Sequence, residues 1–157
     1  MINNKKFCFI ILLTYTLTLL PFYAKAENKN SYFLSLKNDE VNLRQGPSFK
    51  YPIKLVYKKK YLPVIIIDKS ETWRQIQDLE NNSGWIHVSQ LSKKKTGINI
   101  KKNSVMYKNS TIYSKPIARI ETGKLLVIKK CKLKWCKIES EKFTGWITKN
   151  FLWGMIN

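Results

Sequence analysis

From Val41 onward the chain alternates short apolar runs with polar breaks, and no stretch there keeps a helical period. Val41 and Leu43 alternate with polar neighbours before Gly46-Pro47 stops the run. Val64 to Ile67 is a four-residue β-branched run of the kind that fits a strand. Lys69-Ser70-Glu71-Thr72 reads as a turn, Trp73 to Gln77 as the return strand, and Glu80 to Gly84 as a second turn. That second turn is dense in residues that bond their own backbone or tolerate positive φ. Trp85 to Val88 is a further strand. Short strands at this turn spacing predict an all-β fold, a small barrel or sandwich.

The pattern then repeats, and the repeat is the most informative feature of the sequence. Pro63 opens "PVIIIDKSETWRQIQDLENNSGWIHVSQL" and Leu125 opens "LLVIKKCKLKWCKIESEKFTGWITKNFL". Trp73 answers Trp135, Ile76 answers Ile138, Gly84-Trp85-Ile86 answers Gly145-Trp146-Ile147, and Leu91 answers Leu152. The second copy departs at its start. There "VMYKNSTIYSKP" keeps Val105 but lacks the arginine and the Gly-Pro of "VNLRQGPSFKYP".

The order V-N-L-R-x-G-P-S, apolar strand, W-x-x-I, then G-W-I and a closing leucine resembles the bacterial SH3-like domain of exported proteins. The first copy matches from Val41 to Leu91; the second keeps the later elements and ends on Leu152-Trp153-Gly154. The resemblance implies two small SH3-like barrels in tandem, at 31–92 and 96–157. Thr96 to Ile100 alternates, so it is expected to be a strand that ties the copies rigidly rather than a loose linker.

The N-terminal segment reads differently. Lys5 and Lys6 precede an apolar run from Phe7 to Leu20, and Ala24-Lys25-Ala26 has the form of a cleavage site. Residues 1–26 are therefore expected to be a signal peptide cleaved after Ala26, with the mature protein periplasmic or secreted. The run is short for a membrane span and is interrupted by Thr14, Thr16 and Thr18, so membrane association is expected only transiently through this segment.

Residues 27–157 carry 26 Lys or Arg against 10 Asp or Glu, a net charge of +16. Such a chain is drawn to polyanions: nucleic acid, anionic lipid headgroups or acidic wall polymers. A lysine-rich, AT-rich coding composition is the competing source of the charge. Export and the lack of any nucleic-acid-binding motif argue against nucleic acid as partner.

Cys131 and Cys136 flank Leu133-Lys134. If those two residues form a hairpin turn, the cysteines face each other at a pair with Cα atoms about 4.5 Å apart, short but within disulfide range. An exported pair favours the disulfide over two free thiols. Two cysteines and the single His87 fall short of a structural zinc site, and neither metal nor cofactor is expected. No nucleophile, phosphate-loop or metal-hydrolase pattern is present, which points away from an enzyme.

The candidate ligand-binding residues are Arg44, Tyr51, Tyr57, Trp73, Trp85, Trp135 and Trp146. Trp73 and Ile76 have opposite parity in their strand, as do Trp85 and Ile86. If the isoleucines point inward, the tryptophans point out. An indole there is either a platform for a sugar ring or extended peptide, or a cover for the barrel end or the contact between copies. Arg44 either braces the Gly-Pro loop, which is expected to carry Tyr51 and Tyr57, or faces a ligand carboxylate; its place beside the turn favours bracing. Its absence from the second copy makes the first the better expected binder. The resemblance implies a non-enzymatic envelope protein that binds peptidoglycan. A protein–protein adaptor or inhibitor is the alternative, and a wall hydrolase the third reading.

Overall fold

The computed structural model describes residues 31–156; the signal-peptide reading of 1–26 lies outside them. The described chain is almost entirely β. Seven strands form the first sheet: β1 (Tyr32–Leu36), β2 (Val41–Arg44), β3 (Ile53–Tyr57), β4 (Pro63–Ser70), β5 (Trp73–Gln77), β6 (Ser83–His87) and β7 (Leu91–Ser92). Seven more form the second: β8 (Thr96–Asn99), β9 (Ser104–Tyr107), β10 (Pro116–Ile120), β11 (Leu125–Lys132), β12 (Trp135–Glu139), β13 (Thr144–Thr148) and β14 (Leu152–Gly154). The order β3-β2-β6-β5-β4-β1-β7 is repeated as β10-β9-β13-β12-β11-β8-β14. One turn of 3-10 helix, Val88–Gln90 or Lys149–Phe151, precedes the last strand of each. These are two SH3-like β units in tandem, and all their strands lie within residues 32–154.

Alternation builds each core. Leu36, Val41, Leu43, Val64, Ile66, Ile76 and Ile86 are buried in the first; Met106, Leu126, Ile128, Ile138 and Ile147 are buried in the second. The eight-residue strands β4 and β11 serve two neighbours each, pairing with β1 and β5 and with β8 and β12. Each carries a register shift, between Ile66 and Asp68 and between Ile128 and Lys130. A bulge at that point bends a strand, and so lets one strand turn the corner of a small barrel.

The register refines the alignment of the copies. Arg44 pairs with Trp85, and Tyr107 pairs with Trp146. Tyr107 thus stands where Arg44 stands, Met106 where Leu43 stands and Ser104 where Val41 stands. Val105 faces outward at the position of Asn42, so it is not the counterpart of Val41.

Two buried polar sets distinguish the copies. In the first, the Tyr57 hydroxyl donates to Asp78 Oδ2 at 2.9 Å, and Asp78 also accepts from the Asn82 and Glu80 amides and from Asn82 Nδ2. In the second, Ile120 and Ser140 occupy those positions. There Asn99 replaces Leu36: its Nδ2 donates to the carbonyls of Lys101, Ile120 and Glu121, and its Oδ1 accepts from Ser104 Oγ. Ser104 replaces Val41, so an apolar pair in one copy is a polar pair in the other.

The joint between copies is structured. Residues 96–99 form β8 and are all buried. Thr96 Oγ1 donates to the Tyr61 carbonyl at 2.8 Å, Ser35 Oγ donates to the Lys94 carbonyl, and the Phe33 and Trp153 rings meet edge to face at 5.1 Å.

Tyr57 gives a test in pH. Burial first, and then its bond to Asp78, push the phenol well above its ordinary pKa of 10.0. The unfolded chain therefore ionises Tyr57 before the folded chain does, and this contribution to stability is full below pH 10.0 and lost as pH rises above it. Urea unfolding of the native chain and of Tyr57→Phe is expected to show a gap in midpoint that shrinks as pH climbs through that value. A gap independent of pH would contradict it.

Candidate functional site

The site is built around the loop that follows β2. Arg44 Nη1 donates to the Tyr51 carbonyl at 2.8 Å, closing the eight residues 45–52, and its guanidinium lies 5.7 Å from the centre of the Phe49 ring. The bond braces the loop, and the cation packs against an aromatic face. Gly46 has an ordinary φ. The exposed Tyr51 ring lies 2.6 Å from where a Cβ would stand, so a side chain there requires the ring to move aside.

The second copy makes the same loop without the arginine or the Gly-Pro. Backbone bonds Gln45 N–Pro52 O, Ser48 N–Gly46 O and Tyr51 N–Ser48 O are matched by Lys108 N–Lys115 O, Thr111 N–Asn109 O and Ser114 N–Thr111 O. Asn109 takes the place of Gly46 where Ser114 takes the place of Tyr51, so the ring and the glycine beneath it are replaced together.

The loop folds back on the sheet, and this changes the reading of Trp73. Its side chain is outside the barrel core, as strand parity requires, yet it is only 7% exposed. Phe49 lies over it with ring centres 4.9 Å apart, and His87 lies 5.3 Å from it and 5.4 Å from Phe49. Of the two roles open to an indole there, Trp73 is therefore a covered residue rather than an open platform. Phe49, 63% exposed, presents the aromatic surface instead. Sequence reasoning missed Phe49, and its signal was an aromatic inside a loop with turns at both ends. His87 Nδ1 bonds Ser89 Oγ at 2.8 Å, so its ring is fixed as the third member of this cluster.

The other candidates separate. Tyr51 is exposed beside Gly46 and Arg44. Tyr57 is buried at the far end of β3 with Asp78 and takes no part in this surface, contrary to its expected place beside the binding loop. Trp85 is half-buried next to Arg44 on the outer face. In the second copy Trp135 is half-buried and meets Tyr107 edge to face at 5.8 Å. Trp146 is half-buried, with Lys130 and Lys132 ammonium groups each 6.0 Å from its ring centre. Cys131 and Cys136 form the expected disulfide across the β11–β12 hairpin, Cα atoms 4.0 Å apart.

The site offers aromatic faces, one guanidinium and hydrogen-bonding groups. Among the described residues, no group of three or more His, Cys, Asp or Glu stands where it could hold a metal ion.

The bacterial SH3 domain family matches residues 37–93 and again 101–154. This chain belongs to that family. The two matches follow the two sheets, so the SH3 domain is present twice. Solved structures similar to the chain include NlpC2 of Trichomonas vaginalis (12% identity, TM-score 0.36, 78% of this chain and 48% of that one) and NlpC1 of the same organism (11%, 0.37, 82% and 48%). A candidate autolysin of Listeria monocytogenes is also similar (13%, 0.30, 78% and 62%). The chain thus spans about half to three-fifths of those proteins. No curated protein matches it at a significant level.

The covered tryptophan can be tested directly. Phe49→Ala is expected to leave the fold intact and to open Trp73, giving red-shifted emission and faster acrylamide quenching. Trp73→Ala is expected to cost about 3 kcal/mol of stability, as a buried aromatic does. Unchanged quenching in Phe49→Ala would remove Phe49 as the cover.

Proposed function

We propose that this protein is a non-enzymatic binding protein of the bacterial cell envelope, and that its first SH3 domain takes the peptide part of peptidoglycan. One observation carries the reading. A family domain occurs twice with nothing else in the described chain, and its first copy holds an aromatic loop rigidly over the sheet through Arg44. Arg44 Nη1 is engaged with the loop, while the guanidinium as a whole and the exposed Phe49 and Tyr51 rings border one surface. A stem peptide is extended and carries carboxylates, which suits a surface edged by aromatic rings with a fixed cation. The net charge of +16 over residues 27–157 draws such a polymer in from a distance. The proposed compartment is the periplasm or the exterior, in line with the expected signal peptide.

Retention on purified sacculi tests this. The native chain from Glu27 is expected to be retained, Phe49→Ala to be retained about tenfold less, the scale of one anchor residue at an interface, and added salt to weaken both. Purified protein is expected to give no clearing in a zymogram. Retention indifferent to salt and to Phe49 would refute the proposed surface.

A further inference from the structure

The two domains share a backbone, so each serves as a control for the other. At the β4–β5 turn the first domain places Glu71 and Thr72; at the β11–β12 turn the second places Leu133 and Lys134. Glu71 and Leu133 both adopt left-handed backbone, φ 47° and 44°. That conformation is uncommon for a bulky aliphatic residue. Leu133 is also 96% exposed, and the Cys131–Cys136 disulfide clamps the turn that displays it. Neither packing nor turn chemistry accounts for a leucine there.

Its neighbours have a common chemistry. Lys132 and Lys134 flank it, and Lys130 lies two residues further back on the same strand. The equivalent residues of the first domain are Ser70, Thr72 and Asp68. Lys130 stands directly opposite Lys137, a like-charge pair that costs a sheet stability, where the first domain pairs Asp68 with Gln75. The nearby loop carries Ile112, 61% exposed, at the position of Phe49, and Tyr113, 92% exposed, at that of Lys50. Phe49 touches Trp73, the counterpart of Trp135, so the shared loop backbone brings Ile112 and Tyr113 to the end of the barrel where the hairpin turns. The carboxylates lie at the other end of β11 and β12: Glu139 pairs with Lys129, and Glu141 pairs with Lys124 in the turn before β11, where Glu121 also sits.

We propose that this end of the second domain docks on an anionic phospholipid surface. Leu133, Ile112 and Tyr113 enter the headgroup region, and Lys130, Lys132 and Lys134 meet the phosphates. Apolar tips ringed by lysines, with half-buried indoles behind them, match the layered chemistry of a bilayer interface. A purely polar polyanion would use the lysines and leave Leu133 without a role. The stapled turn holds its apolar tip in place before contact, which lowers the ordering cost of docking. The site lies apart from the wall-binding surface proposed for the first domain.

Co-sedimentation of the chain from Glu27, which keeps every described strand and both cores, with vesicles tests the proposal. Its folded state is checked by the cooperativity of urea unfolding. Binding is expected to vesicles of mixed phosphatidylglycerol and phosphatidylcholine and not to phosphatidylcholine alone, with a blue shift of tryptophan emission. Leu133→Asn puts a residue that tolerates left-handed backbone at the tip. It is expected to fold at least as stably, to weaken vesicle binding about tenfold, and to leave binding to soluble polyglutamate and retention on sacculi as they were. Lys130→Asp, Lys132→Ser and Lys134→Thr together give the hairpin the residues of the first domain; this variant is expected to lose vesicle and polyglutamate binding alike. Vesicle binding unmoved by Leu133→Asn would reduce the surface to a plain polyanion site and overturn the proposal. A dimer of the native chain that Leu133→Asn dissolves would assign the tip to a second copy and overturn it as well.

Discussion

In each unit the β2–β3 or β9–β10 hairpin joins the rest of the sheet at one crossing, and that crossing excludes a side chain. Where β2 meets β6, a Cβ on Gly84 would stand 2.6 Å from the Arg44 carbonyl and 2.8 Å from the Leu43 side chain. Where β9 meets β13, a Cβ on Gly145 would stand 2.6 Å from Met106 and 2.7 Å from the Tyr107 carbonyl. Backbone cannot yield as a long side chain can, so glycine is the residue that lets these strands touch. The rest of the strand then follows by alternation. Ile86 and Ile147 fall into the cores, and Trp85 and Trp146 fall outside them. The residue paired with each tryptophan, Arg44 or Tyr107, is also the last before the loop, so the crossing fixes the root of the proposed binding surface too.

This explains how much of the fold could be read from the chain. Gly-Trp-Ile is a packing requirement, and it appears twice at nearly constant spacing. The disulfide was legible because a two-residue turn leaves its flanking positions no choice of partner. Residues 96–99 were legible as a strand by alternation alone. Phe49 as the cover of Trp73 was not. Parity says which side of the strand a residue leaves, but not what later folds over it, and Phe49 arrives from a loop more than twenty residues earlier. The match of Val105 to Val41 failed because like residues were paired without a register; the bridge between Tyr107 and Trp146 supplies it.

A shared backbone also shows which positions the fold leaves open. Leu36 and Val41 in one core become Asn99 and Ser104 in the other, and Asn99 is accepted because three carbonyls and the Ser104 hydroxyl satisfy it. Tyr57 and Asp78 become Ile120 and Ser140. Buried polar groups of this kind are tolerated as complete sets, since a lone member leaves an unpaired partner at greater cost than the set contributes. The turn at Tyr61 and Gly123 is a further case. Both residues are left-handed, at φ 64° and 82°, and each amide donates to the same strand position, Leu36 or Asn99. In the first domain Tyr61 bears that conformation, and its carbonyl receives the Thr96 hydroxyl from the second.

That last bond bears on what two domains achieve together. With β8 buried along its length and Trp153 set against Phe33, the domains are held by contacts on both sides of the chain crossing. Their outer surfaces thus keep a fixed relation. A flexible linker would give two sites an effective concentration set by its length; a rigid joint gives either simultaneous engagement or none, according to the geometry of the target. The two surfaces have also diverged where the fold leaves them free to. The first keeps Arg44 and Phe49 with mixed charge, and the second replaces Asp68, Ser70 and Thr72 with lysines around an exposed leucine. Two unlike surfaces in fixed relation suit a protein that bridges two different layers, and on the two proposed roles the duplication adds a function rather than strengthening one.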